Sequence, residues 1–262
     1  TGTSNVMVGG LAGDALTTGN HNIAIGREAL STEDGNGYNV AIGGYALQDL
    51  NAGADAYNVV IGYQAGTQMT TGTYNTVIGS QALGTGITTG TKNTAIGYQA
   101  GLNITDGANN VLIGSEAGDA ITGGDRNVAV GHNALSSEDT GSRSTAVGYN
   151  ALSTQNYGSN NYNVAVGYAA GTSVASGVQN TLIGSLAGDA ITDGANNVAI
   201  GYNALSTEAT GHGAVAIGAF ALEVLNAGNT YNTAIGFNAG AVMTTGVQNT
   251  IIGSFAGDAL TT

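Results

Sequence analysis

A five-residue stretch that recurs along the whole chain constrains the fold more than any other feature. Its clean form is Asn93-Thr94-Ala95-Ile96-Gly97, and fifteen copies follow one another at spacings of about 17–19 residues, a fixed period that indicates a stacked repeat. The shortest spacing is the commonest. The copies begin at Asn5, Asn22, Asn39, Asn58, Asn75, Asn93, Asn110, Asn127, Ser144, Asn163, Asn180, Asn197, Ala214, Asn232 and Asn249.

Each copy has the pattern of a short β-strand that is apolar on both faces. The second position is always Val, Ile or Thr, the fourth is always Ile or Val, and the third, between them, is also apolar in every copy. Side chains alternate faces along a strand, and a strand that is apolar on both faces is typical of burial on both. We therefore expect the Ile and Val positions to fill the interior of a coil.

The middle position then needs a second cover, which one narrow coil cannot supply. We expect the Ala, Leu and Val side chains found there, such as Leu112 and Val60, to be sheltered by other copies of the chain around a common axis. A closed symmetric oligomer follows from this reasoning. The alternative is a monomeric solenoid with one mildly apolar wall.

The rest of the repeat contains small and turn-forming residues at fixed places. The third residue after each strand Gly is always Ala, from Ala12 to Ala256, which predicts a narrow interior, and the next residue is only Gly or Leu. The opening Asn occupies thirteen of fifteen copies, with Ser144 and Ala214 as the exceptions. We interpret it as an internal Asn ladder at a corner rather than a column of polar ligands.

A longer period lies above the repeat. Coils with Gly-Asp after the Ala occur at Asp14, Asp119, Asp189 and Asp258, and the last three are about four coils apart. Between them come two Leu coils and a Gly coil, so the array consists of four-coil blocks with one irregular pair around Leu83 and Gly101. The sequence indicates alternating thick and thin layers but gives no further reason for this period.

Composition excludes several classes of function. The net charge of -13, with only four Lys and Arg among 262 residues, argues against a nucleic-acid partner. The chain has no Cys, which excludes a disulfide scaffold and thiolate metal sites, and it has no apolar stretch long enough to span a bilayer. No signal peptide is recognisable, and the chain opens on Thr1 and stops in mid-repeat. We expect residues 1–262 to be a single repeat array within a longer fibre protein.

The run Gly90-Thr91-Lys92-Asn93-Thr94-Ala95-Ile96-Gly97-Tyr98-Gln99-Ala100-Gly101 resembles two groups of proteins. One is the head domain of trimeric autotransporter adhesins, and the other is the Asn-Thr-Ala-Ile-Gly-Tyr repeat region of bacteriophage tail fibres. The resemblance covers essentially the whole chain. It implies a trimeric parallel β-roll with left-handed coils, although the coils of this chain are longer than those of the adhesin heads and fit the tail-fibre group better.

No motif in the sequence points to catalysis. His21, His132 and His212 fall at different places in their coils, so they predict surface imidazoles and not one site. No nucleophile, base and carboxylate follow each other in a pattern typical of a triad. We therefore predict no catalytic, cofactor-binding or metal-binding residue, no cofactor, and a protein that is not an enzyme.

Two sets of turn residues are candidate binding sites. Three-fold symmetry could gather Asp14, Asp119, Asp189 and Asp258 into rings around a cation, but solvated corner charges are the preferred interpretation. Aromatic side chains directly follow the strand Gly or directly precede the Asn, and they could stack on sugar rings or cover strand edges. The second role is the preferred one. These residues are Tyr63, Tyr98, Tyr149, Tyr168, Tyr202 and Phe237, and Tyr38, Tyr57, Tyr74, Tyr162 and Tyr231.

The sequence thus predicts an all-β chain: a parallel β-solenoid of about fifteen coils, each of about 17–19 residues, assembled as a homotrimer. The expected function is a structural shaft or receptor-presenting segment of an extracellular fibre, on a virion tail or a bacterial surface. Its partners would be its own copies and a cell-surface glycan or protein receptor, without nucleic acid and without membrane insertion. Two alternatives stay open: an ice-binding β-solenoid, and a hexapeptide-type acyltransferase, suggested by Ile61-Gly62-Tyr63-Gln64-Ala65-Gly66.

Overall fold

The computed structural model describes residues 2–262 and is a parallel β-solenoid of about fifteen turns, without an α-helix in this range. Each turn contributes one strand of three residues at the predicted place. The strands are β1 (Val6–Val8), β2 (Ile23–Ile25), β3 (Val40–Ile42), β4 (Val59–Ile61), β5 (Thr76–Ile78), β6 (Thr94–Ile96), β7 (Val111–Ile113), β8 (Val128–Val130), β9 (Thr145–Val147), β10 (Val164–Val166), β11 (Thr181–Ile183), β12 (Val198–Ile200), β13 (Val215–Ile217), β14 (Thr233–Ile235) and β15 (Thr250–Ile252).

The chain divides into two compact units, residues 1–129 and Val130–Thr262. In the first unit, strands β1 to β7 pair in sequence order, parallel and in register, so that Val6 lies beside Ile23 and Thr94 beside Val111. In the second unit, β9 to β15 pair in the same way. Because equivalent residues lie side by side, each position of the repeat forms a column of side chains along the stack. Any functional surface on the strands therefore consists of such columns.

The strands present the opposite face to the interior from the one expected. The middle residue is fully buried within a single chain in nearly every coil, as Ala95, Leu112 and Leu182 illustrate, whereas the flanking Val, Ile and Thr residues are only partly buried. The prediction of an Ile/Val interior and of middle side chains sheltered by other copies is therefore wrong. The middle residue, and not the flanking Ile and Val residues, lines the interior, where Leu182 lies beside Gly188.

Volume matching across this interior accounts for the four-coil period. The middle residue of the strand faces the residue after the invariant Ala, and in most coils a large side chain at one place accompanies a small one at the other. The irregular fifth coil is an exception, with Val77 and Leu83. Leu182 accompanies Gly188, for example, and Ala199 accompanies Leu205. A Cβ added at Gly188 would lie 2.7 Å from Leu182 Cδ2. Because the interior is closely packed, the size of the middle strand residue in a coil limits the size of the residue that faces it.

Coils that are small at both places are filled from their neighbours in the stack. Ala165 and Gly171 share one such coil. A Cβ added at Gly171 would lie 2.6 Å from Leu182 Cδ1 in the following coil and 3.0 Å from Leu152 Cδ2 in the preceding one. The four-coil block is thus a packing unit: two coils with Leu after the invariant Ala, one coil that is small at both places, and one coil with Leu in the middle of its strand. The sequence showed this order but not the reason for it.

The predicted Asn ladder is present and buried, and its hydrogen bonds run to the backbone. Asn197 is fully buried; its Oδ1 accepts from the backbone N–H of Ala214 at 2.9 Å and its Nδ2 donates to the carbonyl of Gly211 at 2.8 Å. The same pair of contacts recurs at Asn58 and Asn180. Each amide therefore satisfies one donor and one acceptor of the buried backbone where the turn enters the strand.

Three buried carboxylates occupy an interior column that in most other coils contains Leu, Ile, Val or Met. Glu33, Glu138 and Glu208 are each fully buried. Glu138 accepts from the backbone N–H of Gly141 at 2.8 Å, from Gln155 Nε2 at 2.8 Å and from Asn161 Nδ2 at 2.7 Å. Each Glu coil is followed by a coil that is longer than the usual one, so the carboxylates bind backbone and amide donors at the places where the repeat lengthens.

Candidate functional site

In each unit the outward face of the strands is a regular surface. At each strand, the residues on both sides of the buried middle residue point outward and stay partly exposed. The face consists of a Val/Thr/Ile column and an Ile/Val column. The terminal strands β1 and β15 have a neighbouring strand on one side only and are more exposed, with Ile252 at 67%. We call this surface, in each unit, the outward strand face.

Two columns border this face, and they hold most of the aromatic residues. The pre-strand edge is the residue directly before the opening position of each coil, and the post-strand edge is the residue directly after the strand Gly. Tyr57 at the pre-strand edge and Tyr63 at the post-strand edge are 43% and 55% exposed. Sequence analysis located both aromatic columns at the correct positions of the coil. It did not predict that they border an outward-facing apolar strand surface.

Several aromatic rings of these columns are in contact with one another. At the pre-strand edge His21, Tyr38, Tyr57 and Tyr74 stack in parallel, with ring centroids 4.9 to 5.2 Å apart. At the post-strand edge, the Tyr149 and Tyr168 rings stack at 5.4 Å. Stacking covers the ring faces and leaves ring edges and hydroxyls to solvent. The geometry therefore favours the edge-covering role over sugar stacking, which needs a free ring face.

Tyr98 differs from the other residues of its column. Its neighbours along the post-strand edge are Ser80 and Ser115, and it forms no ring contact with the described residues, although 49% of its surface is exposed. Lys92, at the pre-strand edge of the same coil, is exposed and forms no ion pair within residues 2–262. Both side chains are available to a partner.

Charge is distributed unevenly around the coil. The outward strand face and its two edges contain no Asp or Glu at any of the fifteen levels, although the chain has 17 acidic residues. All four cations lie at these edges: Arg27 follows β2, and Lys92, Arg126 and Arg143 precede their strands. These positions thus lack acidic residues in a chain of net charge -13, although Glu28 forms an ion pair with Arg27 at 3.0 Å beside the post-strand edge.

The histidines are separate from one another, as predicted. His21 stacks on Tyr38, His132 meets Tyr149 edge-on at 5.5 Å, and His212 Nδ1 accepts the backbone N–H of Ala195 at 2.9 Å. No two of them share a cleft or a carboxylate partner among the contacts described.

The Gly-Asp turns also hold their carboxylates separately. Burial raises the pKa of Asp119 and of Asp189 above the ordinary aspartate value, while hydrogen bonds from their own turn backbone oppose the shift. Within residues 2–262 no group of three His, Cys, Asp or Glu side chains lies close enough to hold a metal ion. The Oδ1 atoms of Asp119 and Asp189 are buried without a hydrogen-bond partner among the described residues.

Sequence reasoning assigned no role to the buried glutamates. Burial raises the pKa of Glu138, and the donors from Gln155 and Gly141 act in the opposite direction. One oxygen of Glu33 and the Nδ2 of Asn36 are buried without a hydrogen-bond partner in this coil. A signal was present, because Glu recurs at one fixed place before three of the four coils that are longer than 17 residues.

A shallow pocket of about 170 Å³ lies beside the irregular fifth coil. It is lined by Gln64, Gln81, Thr67 and Thr85, with Gln68 and Gly84. No charged side chain lines it, so it offers no chemistry beyond hydrogen bonding. Among residues 2–262 there is no helical segment with the length and apolarity needed to cross a membrane.

Comparisons with known proteins do not assign the chain to a group. No protein-family model matches it, and searches of curated proteins and of solved structures found no match. The function is therefore argued from the outward strand face and its edges.

Proposed function

We propose that this chain is a structural segment of a homotrimeric surface fibre, in which the outward strand faces of three copies pack around a common axis. The observation that carries the proposal is the outward Ile/Val column, which lies on the opposite side of the strand from the interior and which one chain leaves partly exposed. The segment would be extracellular, as a shaft of a phage tail fibre or of a bacterial adhesin.

The size of the face supports burial in an assembly. In each unit seven strands spaced about 4.8 Å apart, with three residues per strand, give an apolar stripe of about 300 Å². Exposed apolar patches of this size on a monomer often mark interaction sites. The bordering Tyr and Phe side chains extend the stripe at both edges.

The charge distribution favours a second copy as the partner. Chains of net charge -13 repel one another, and repulsion is weakest where acidic groups are missing. A rotation axis parallel to the stack also brings every coil level of one copy beside the same level of the next. The periodic face is thereby buried along its length by an equally periodic surface.

The resemblance of the repeat to adhesin heads and tail-fibre regions supports three copies, left-handed coils and a role in host or surface attachment. The outer turns of such a trimer would remain available to a cell-surface glycan or protein receptor. The buried Asn ladder, the matched interior and the shared face together would give a stiff spacer that needs neither disulfides nor metal.

Mass measurement tests the proposal. Light scattering of the purified segment should give three times the mass of the 25.6 kDa chain. The double variant Ile96→Asp/Ile200→Asp places charges on the outward strand face and should yield monomers with unchanged β circular dichroism. The matched control Ile87→Asp/Val224→Asp alters apolar residues that are 67% and 37% exposed away from that face, and it should stay trimeric. A folded monomer of the parent chain contradicts the proposal.

A further inference from the structure

We infer that the pre-strand edge of one copy packs against the post-strand edge of the next copy at the same coil level, with Lys92 against the Tyr98 ring of its neighbour. The inference rests on the proposed trimer and goes further, because it names the contacts that fix the register between copies. The occupant of each edge is thus a second copy of this chain.

The two edges match in size from level to level. Of the fifteen coil levels, fourteen lie entirely within the first or entirely within the second unit; only the level of β8 crosses the boundary. At six of them both edges carry a ring or a cation: His21 and Arg27, Tyr57 and Tyr63, Lys92 and Tyr98, Arg143 and Tyr149, Tyr162 and Tyr168, and Tyr231 and Phe237. At five levels both edges carry small or uncharged polar residues: Ser4 and Gly10, Asn109 and Ser115, Gln179 and Ser185, Gly213 and Ala219, and Gln248 and Ser254.

Three levels do not match, and in each the unmatched ring has a contact in its own chain. Tyr38 and Tyr74 both stack on Tyr57, with ring centroids 4.9 and 5.2 Å away. Tyr202 meets Phe220 edge-on at 5.3 Å. The rings without a matching residue across the face are thus covered by other means.

The two edge residues of one level lie beyond opposite ends of the same strand. Lys92 and Tyr98 are separated by β6 and its flanking residues, a backbone span of at most roughly 20 Å, and no ion pair or ring contact joins them among the described residues. Rotation about an axis parallel to the stack keeps each level at its own height. It therefore brings the pre-strand edge of one copy to the post-strand edge of the next, at the seam where two outward strand faces meet.

The chemistry of the pair at β6 fits this seam. A Lys ammonium is attracted to an aromatic face within about 6 Å of the ring centroid, and the attraction increases when water is excluded. Tyr98 has no ring partner in its own chain, and Lys92 has no ion pair there, among the residues that the structure describes. The level at β9 repeats the combination with Arg143 and Tyr149, and Arg143 also lies over Tyr162 of its own chain.

Cysteine cross-linking tests the register, because the native chain has no Cys. The double variant Lys92→Cys/Tyr98→Cys is treated with a bis-maleimide reagent too short to join the two positions within one chain. We expect covalent trimers on a denaturing gel. The matched control Lys92→Cys/Tyr63→Cys pairs β6 with a tyrosine position two levels away, and we expect several-fold less trimer. Each single variant should give no trimer.

Light scattering before cross-linking separates the two proposals. A monomeric parent chain overturns the trimer, and the register with it. A trimeric parent in which the offset variant cross-links as well as or better than the same-level variant overturns the register alone. Covalent dimers without trimers, from a parent of twice the chain mass, indicate a two-fold assembly and contradict both. An anionic partner would instead appear as added mass that is lost in Lys92→Gln, and this result would also overturn the register.

Discussion

Replacing one interior glycine by alanine tests the volume matching that explains the four-coil period. Gly188 has a φ of 58°, and an added Cβ would lie 2.7 Å from Leu182 Cδ2 and 2.9 Å from Ile191 Cδ1. Overpacking of a filled core costs about 1–3 kcal/mol. The left-handed backbone adds about 1–2 kcal/mol for a non-glycine residue. We therefore expect Gly188→Ala to lower the free energy of unfolding by about 2–5 kcal/mol per chain.

The chain offers a control that separates the two contributions. Gly66 occupies the same place in its coil with a φ of 56°, but an added Cβ would lie 3.5 Å from Val60 Cγ1, an ordinary contact. Gly66→Ala should therefore cost only the backbone part. Leu152 adopts a φ of 50° at this place, so the coil accepts a side chain where there is room.

A second substitution should relieve the first. Leu182→Ala alone removes a fully buried side chain and should cost about 2–5 kcal/mol. In Leu182→Ala/Gly188→Ala the new methyl enters the vacated space, so the double variant should be more stable than the sum of the single effects by about 0.5–3 kcal/mol. Urea unfolding followed by circular dichroism measures all four proteins. Additive costs, or equal costs for Gly188→Ala and Gly66→Ala, would refute the matching.

Two further predictions concern buried polar groups. Asn197→Ala leaves the Ala214 N–H and the Gly211 carbonyl without their side-chain partner and should cost about 2–4 kcal/mol in urea unfolding, whereas Asn249→Ala, in the last coil, should cost less. Burial raises the pKa of Glu138, so its folded form binds a proton more tightly than its unfolded form, and the stabilisation by that proton is lost as pH rises through the folded pKa. The melting temperature of the parent relative to Glu138→Gln should therefore fall as the pH rises from below the ordinary glutamate pKa to above the raised folded pKa, and a constant difference contradicts this.

The position of every strand could be predicted from the sequence, because all fifteen begin directly after the opening position of the repeat. The burial of the Asn column and of the Ala column could also be predicted, since each followed from one residue type at one place. The strand positions and the burial of these columns depend only on which residue type stands at which place in the repeat, and the repeat occurs fifteen times in this chain.

Which face of the strand points inward could not be predicted from that pattern. Both faces are apolar, and a period of two does not say which one is inside. The deciding fact lies across the coil, where Leu205 faces Ala199 and Gly188 faces Leu182. Reading the residue after the invariant Ala together with the middle strand residue would have shown the exchange of large and small side chains.

The outward strand face, finally, is more restricted than the interior requires. Its side chains point away from the packed core, so nothing in the volume matching of Leu182 and Gly188 restricts them. Yet the post-strand edge varies from Gly10 to Arg27 and Tyr63 without ever being acidic, and the strand positions remain Val, Ile or Thr throughout. Acidic residues are frequent in the turns of the same coils. A restriction that the chain's own core does not impose is expected of a surface that another molecule covers.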